Sequence, residues 1–258
     1  MRYTHPRGIL AAALLAAGIA AAPGHAAPGG RVKMSKIKRI VTLGDSITQG
    51  GGQPGGYVWL MDQYLQVLYP RHRIEIVNAG ISGHKSNDML ARFQRDVLAK
   101  KPDLVTISVG INDIWHGFEP GHPAGYGPRR VPLEDYRRNV ESMIQAALNA
   151  DARVVLFTTT IFEDEPGSIR NLRAAAYNDA LRDLAEEYDL PVADQYNAFM
   201  DAWRANRASG AKLTSDQVHM APAGDALMAR TALLALGVEE KDLDRATPEV
   251  MRRIPRRQ

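Results

Sequence analysis

Ser46, Asp216 and His219 are the residue types from which a hydrolytic site can be built. Ser46 lies in Gly44-Asp45-Ser46-Ile47-Thr48-Gln49-Gly50 near the front of the chain, and Asp216-Gln217-Val218-His219 lies near its back. A serine hydroxyl is a poor nucleophile at neutral pH. It needs an imidazole beside it as base and a carboxylate that orients the imidazole. The chain order Ser, Asp, His can supply those roles if folding brings the two ends together. Asp and Ser are also common helix N-caps, so Gly-Asp-Ser alone leaves a purely structural role open.

The elements around these residues decide whether they can meet. Residues 39–43 read as a strand that Gly44 ends in a sharp turn, which puts Ser46 at the start of a helix on the carboxyl edge of a sheet. Free N–H groups and the helix dipole there favour the negative charge of an oxyanion. Strand-like segments at 73–77, 103–109, 153–159 and 190–194 follow. They alternate with helical periodicity at 57–69, 88–100, 133–149, 169–188 and 196–208, and a last helix covers 221–236. This alternation predicts a parallel sheet with helices on both faces. No repeat or linker divides the span 37–238, which reads as one domain. The Gly- and Pro-rich stretch 118–132 is the longest irregular segment, and it borders the same sheet edge.

At 258 residues the chain can bury a core of its own. Arg2 and Arg7 precede the apolar stretch 8–22, and Pro23-Gly24-His25-Ala26 makes a small-residue exit, so 1–26 has the layout of a secretory signal peptide. That stretch is shorter than the ~20 residues a membrane span requires, so no stable span is expected once it is cleaved. Residues 27–36 read as a flexible leader and export is the expectation. With no cysteine, disulfides and thiolate metal sites are excluded. The formal net charge is +3. Arg2 and Arg7 leave with the signal, and Arg252, Arg253, Arg256 and Arg257 crowd into the segment 239–258, which reads as a solvated basic tail. The body is mildly acidic, which does not support a nucleic-acid partner.

Two further loops follow strand ends: Asn78-Ala79-Gly80-Ile81-Ser82-Gly83-His84 and Gly110-Ile111-Asn112-Asp113. In a parallel sheet both emerge on the edge that carries Ser46. Acyl transfer needs N–H donors aimed at a developing oxyanion, and a glycine backbone with an asparagine side chain would provide them. Gly in a tight turn and Asn as a cap are the alternatives.

With these segments the chain resembles the SGNH, or GDSL-type, serine hydrolases. Gly44-Asp45-Ser46 resembles their nucleophile block, Asn78 to Gly83 the glycine block, Gly110-Ile111-Asn112-Asp113 the Gly-x-Asn-Asp block and Asp216-Gln217-Val218-His219 the Asp-x-x-His block. The resemblance runs from about residue 40 to 236. It implies a three-layer α/β/α sandwich, flavodoxin-like, with a five-stranded parallel sheet. It implies a Ser46-His219-Asp216 triad and an oxyanion hole from Ser46 N–H, Gly83 N–H and the Asn112 amide. The first block continues Ile47-Thr48 instead of with leucine, a variant similar to members active on acylated sugars and small esters.

Softer candidates surround this set. Asp45 and Asp113 suit loop-fixing hydrogen bonds better than metal ligation, and Asp45 also stands close enough in sequence to Ser46 to line the substrate site. Trp115 and His116 line a pocket or pack under the following loop, and His84 is a rim contact or an exposed loop residue. No metal or cofactor motif is present. The expectation is an exported serine esterase acting on a small-molecule or carbohydrate ester. A lipolytic esterase, thioesterase or lysophospholipase is the enzymatic alternative, and a carbohydrate-binding protein that keeps the fold is the non-enzymatic one.

Overall fold

A computed structural model of the chain describes residues 32–163, 165–206 and 212–255. The expected signal peptide at 1–26 lies outside the described residues. Five strands, β1 (Arg39–Gly44), β2 (Glu75–Gly80), β3 (Leu104–Ser108), β4 (Arg153–Phe157) and β5 (Val192–Ala193), pair in the order β2-β1-β3-β4-β5, all parallel. β1, β3 and β4 are apolar without alternation because both of their faces are covered. Edge strand β2 is only partly buried.

The helices in chain order are α1 (Ser46–Gly51), α2 (Tyr57–Leu68), α3 (Ser86–Asp96), α4 (Ile111–Trp115), α5 (Leu133–Asn149), α6 (Ile169–Glu187), α7 (Gln195–Asn206), α8 (Pro222–Ala235) and α9 (Glu240–Arg253). One outer layer packs α3 on α5 and α5 on α6. The other packs α2 on α8, α8 on α7 and α9 on α2. The result is a three-layer α/β/α sandwich with flavodoxin-like strand order. In that order the crevice beyond the carboxyl ends of β1 and β3, where the winding reverses, is the expected place for a ligand. Ser46 follows β1 and Asn112 follows β3, so the topology aims both at that crevice.

Several boundaries differ from the sequence reading. β2 runs on through Asn78-Ala79-Gly80, paired with Thr42-Leu43-Gly44, so the loop begins at Ile81. The ladder to β1 outweighs the weak strand propensity of those three residues. The helix expected at 88–100 starts earlier, at Ser86, where Asp88 accepts the Lys85 N–H at 3.0 Å as a cap, and it gives way to a 3₁₀ turn at Leu98–Lys100.

Two expectations about the chain ends are corrected. Val32 and Met34, assigned to a flexible leader, are buried in the core. Residues 240–253, assigned to a solvated tail, form α9, whose Leu243, Ala246 and Val250 are buried against the α2 layer. These three are i, i+3 and i+7, an amphipathic stripe that the dense charge around it concealed.

Candidate active site

Ser46 opens α1 where β1 ends. A Cβ on Gly44 would lie 1.9 Å from the Thr48 hydroxyl, so only glycine lets this helical turn fold so tightly over the strand end. Asp45 caps α1, its Oδ1 accepting the Ile47 N–H at 2.9 Å. Burial pushes its carboxyl up to about 6, against the pull of that N–H and of His219. A residue only 3% exposed has no face for substrate. The expectation that Asp45 lines the substrate site is therefore corrected to a capping role.

His219 Nε2 lies 2.9 Å from Ser46 Oγ, and His219 Nδ1 lies 2.7 Å from Asp216 Oδ2. Asp216 Oδ1 also accepts the backbone N–H of His219 at 2.8 Å and of Val218 at 3.3 Å. Burial raises the Asp216 pKa, but these hydrogen bonds outweigh it and hold the carboxyl below its ordinary value. The loop that presents the pair is a tight hairpin. Thr214 bridges Met220, the Ser215 N–H bonds the His219 carbonyl at 2.8 Å, and Gln217 takes a left-handed φ of 79°. Its carbonyl accepts the Glu163 N–H at 2.6 Å, which docks the hairpin on the segment after β4.

Asn112 and Asp113 sit in the first turn of α4. The Asn112 Nδ2 donates to the His84 carbonyl at 3.2 Å. The Asp113 carboxylate accepts the Ser86 N–H at 3.0 and 3.1 Å and the Ser86 hydroxyl at 2.5 Å. Burial pushes Asp113 up to about 6 despite these bonds. Two adjacent residues thus pin both ends of the segment 84–86. The preceding turn contains Gly83, whose φ of 77° is a conformation that glycine adopts without strain. Asp45 and Asp113 both serve as acceptors for backbone N–H groups. Among the described residues, no group of three His, Asp or Glu side chains could hold a metal ion.

The softer candidates are held by their neighbours. The His84 ring accepts from Arg92 Nε at 3.0 Å, and burial followed by the Arg92 charge lowers its pKa. His116 Nδ1 accepts from Arg129 at 2.8 Å, with its pKa lowered by burial and then by Arg129 and Lys85. Trp115 stacks on Phe162 at 6.1 Å and carries the Arg170 guanidinium 4.7 Å above its ring, so packing already uses it. Sequence reasoning missed Arg92. The available signal was a charge in step with Met89 and Phe93, on the face of α3 that must be buried.

Comparisons with known proteins bear on the whole of this arrangement. The sequence profile of the GDSL-like Lipase/Acylhydrolase family matches residues 42–227. An acetylxylan esterase of Geobacillus stearothermophilus is 30% identical over 219 residues, covering 81% of this chain and 98% of that protein. The lipoprotein YqeF of Bacillus subtilis is 27% identical over 210 residues, covering 72% and 84%. The crystal structure of Axe2, an acetylxylan esterase from G. stearothermophilus, superposes with a TM-score of 0.68 at 28% identity, covering 83% of this chain and 97% of its own. Structures described as catalytic mutants of that enzyme replace a serine, an aspartate and a histidine by alanine.

Proposed function

The chain belongs to the GDSL-like lipase/acylhydrolase family and is a carboxylic ester hydrolase, and from that premise we propose an exported serine esterase that removes short acyl groups, acetyl foremost, from carbohydrates. The observation that carries the mechanism is the continuous hydrogen-bonded path from Asp216 through His219 to Ser46, at 2.7 and 2.9 Å. Ser46 Oγ attacks the ester carbonyl and its proton passes to His219 Nε2. Asp216 holds Nδ1–H, which fixes the tautomer and stabilises the imidazolium. The oxyanion is met by the N–H groups of Ser46 and Gly83 and the Asn112 amide. The imidazolium then protonates the departing alkoxide. Water, deprotonated by His219, cleaves the acyl-enzyme, releasing the carboxylic acid and restoring Ser46.

The saccharide preference is supported by two things. One is the acetylxylan esterase relative, which spans most of this chain. The other is the openness of the site: the side chains of His219 and Asp216 are 46% and 57% exposed, so a bulky alcohol can approach the rim without entering a tunnel. Export is proposed on the arrangement of residues 1–26. Among the described residues, no helix is long and apolar enough to cross a membrane.

The test compares nitrophenyl acetate, longer nitrophenyl esters and acetylated xylo-oligosaccharide for the wild type and Ser46→Ala. Turnover that peaks at acetyl, extends to the saccharide and disappears with Ser46 supports the proposal. A rate that climbs with acyl length would replace it with the lipolytic reading. Equal rates for wild type and Ser46→Ala would remove Ser46 as nucleophile.

A further inference from the structure

Arg92 lies on the covered face of α3 and is 4% exposed. Its guanidinium donates in three directions, each to a different part of the frame around Ser46. Nη2 bonds the Gly44 carbonyl at 2.9 Å, at the end of β1. Nη1 bonds the Ala79 carbonyl at 2.8 Å, near the end of β2, and lies 3.3 Å from Asp96. Nε bonds the His84 ring at Nδ1, at 3.0 Å. A guanidinium is planar and its donors are fixed in a fork, so satisfying all of them sets the relative position of the three segments. A flexible lysine ammonium cannot do this.

His84 carries the constraint onward. Its carbonyl accepts one amide hydrogen of Asn112 at 3.2 Å, which fixes the plane of that amide and so the direction of its second hydrogen. Gly83, the other proposed backbone donor, precedes His84 in the same turn. Arginine has no acceptor, so the Nδ1 of His84 must be the unprotonated nitrogen and the ring can only take the bond.

We propose that Arg92 is a positioning residue for the oxyanion hole: acting through the His84 ring, it holds the 83–84 segment, and with it both the Gly83 N–H and the Asn112 amide, in register with Ser46. This rests on the roles given above to Ser46, Gly83 and Asn112. It also explains why a cation is kept beside Met89 and Phe93 on the buried face of α3. The alternative role, satisfying buried carbonyls, would stabilise the fold without acting on the transition state.

The experiment measures kcat and KM for nitrophenyl acetate, affinity for phenylboronic acid as a tetrahedral mimic on Ser46, and thermal unfolding. The variants are His84→Ala, Arg92→Lys, Asn112→Ala and the double variant His84→Ala/Asn112→Ala. His84→Ala leaves the buried bonds of Arg92 to Gly44 and Ala79 in place, so it separates positioning from folding. We expect His84→Ala and Arg92→Lys to lower kcat on the order of 10- to 100-fold with KM little changed. Boronate affinity should fall in step, His84→Ala should melt near the wild type, and the double variant should lose less than the product of the single losses. Loss in Arg92→Lys alone, with His84→Ala at wild-type kcat, overturns the inference and leaves Arg92 as a structural group. Multiplicative losses in the double variant overturn it as well. Ser46-dependent turnover unaffected by His84→Ala and Arg92→Lys, with Asn112→Ala still impaired, sinks only this inference, whereas a wild type without esterase activity removes the function and the inference together.

Discussion

His219 Nε2 and Ser46 Oγ lie 2.9 Å apart although the two residues are 173 positions apart in the chain. The contact is held from outside as well as within. Immediately after the His219 hairpin, Asp225 in the first turn of α8 accepts the Tyr57 N–H at 2.9 Å, at the start of α2. Tyr57 in turn shares a 2.8 Å hydrogen bond with Thr48 of α1. The nucleophile helix and the histidine loop are thus tied to each other one layer below the site, so the hydrogen bond between them does not depend on the two side chains alone.

Asp216→Asn keeps the size of the side chain and removes its charge. The variant should retain the fold and lose kcat by on the order of 10² to 10⁴, with KM little changed. The exposure of Asp216 favours the lower end, because water can stand in for part of the lost charge. Steady-state kinetics on nitrophenyl acetate checks this, and a wild-type kcat would show that the carboxylate does not support His219.

Asn112→Ala removes a side-chain donor while leaving α4 in place. A fall in kcat of about 100-fold is expected, with little change in the melting temperature. An unchanged rate would take Asn112 out of the oxyanion hole.

Asp113 should make stability depend on pH. Its carboxyl titrates at about 6 in the folded chain against 3.8 unfolded. Between those values the folded state binds the extra proton, so stability from this group is greatest below pH 4 and is lost as pH rises towards 6. Each pKa unit corresponds to about 1.4 kcal/mol, so the whole effect is about 2–3 kcal/mol. In denaturant titrations the wild type should lose stability relative to Asp113→Asn across that window. A difference between the two that stays flat from pH 4 to pH 6.5 contradicts the assignment.

The helix at the end of the chain offers a test away from the site. Leu243 is 1% exposed beneath α9, so Leu243→Ala should cost about 2–4 kcal/mol, the loss of a buried side chain plus the cavity it leaves. Arg252→Ala, on the exposed side, should change stability by no more than about 0.5 kcal/mol. Equal effects in a denaturant melt would mean that α9 does not belong to the core.

The fold class and the chemical inventory were legible in the sequence, because both depend on local pattern. Apolar runs such as 104–109 and 153–157 mark strands covered on both faces, three short segments after strand ends carry Ser46, Gly83 and Asn112, and the segment between α7 and α8 carries the Asp216/His219 pair. Asp45 was misjudged because its position next to Ser46 says nothing about its exposure. α9 was misjudged because its three buried residues are scattered among charges, and what covers them is α2, far away in sequence.

Residue identity and local pattern point to the groups that could react and to the sheet edge expected to carry them, since the alternation of strands and helices and the turn residues at strand ends are short-range features. Only the tertiary structure decided which groups would be held and by what. The bonds from Arg92 to Gly44, Ala79 and His84, from Asp113 to Ser86, and from Asp225 to Tyr57 join segments that no local periodicity relates. Hydrogen bonds of that kind form only once packing has excluded water and left each buried polar group a single partner within reach.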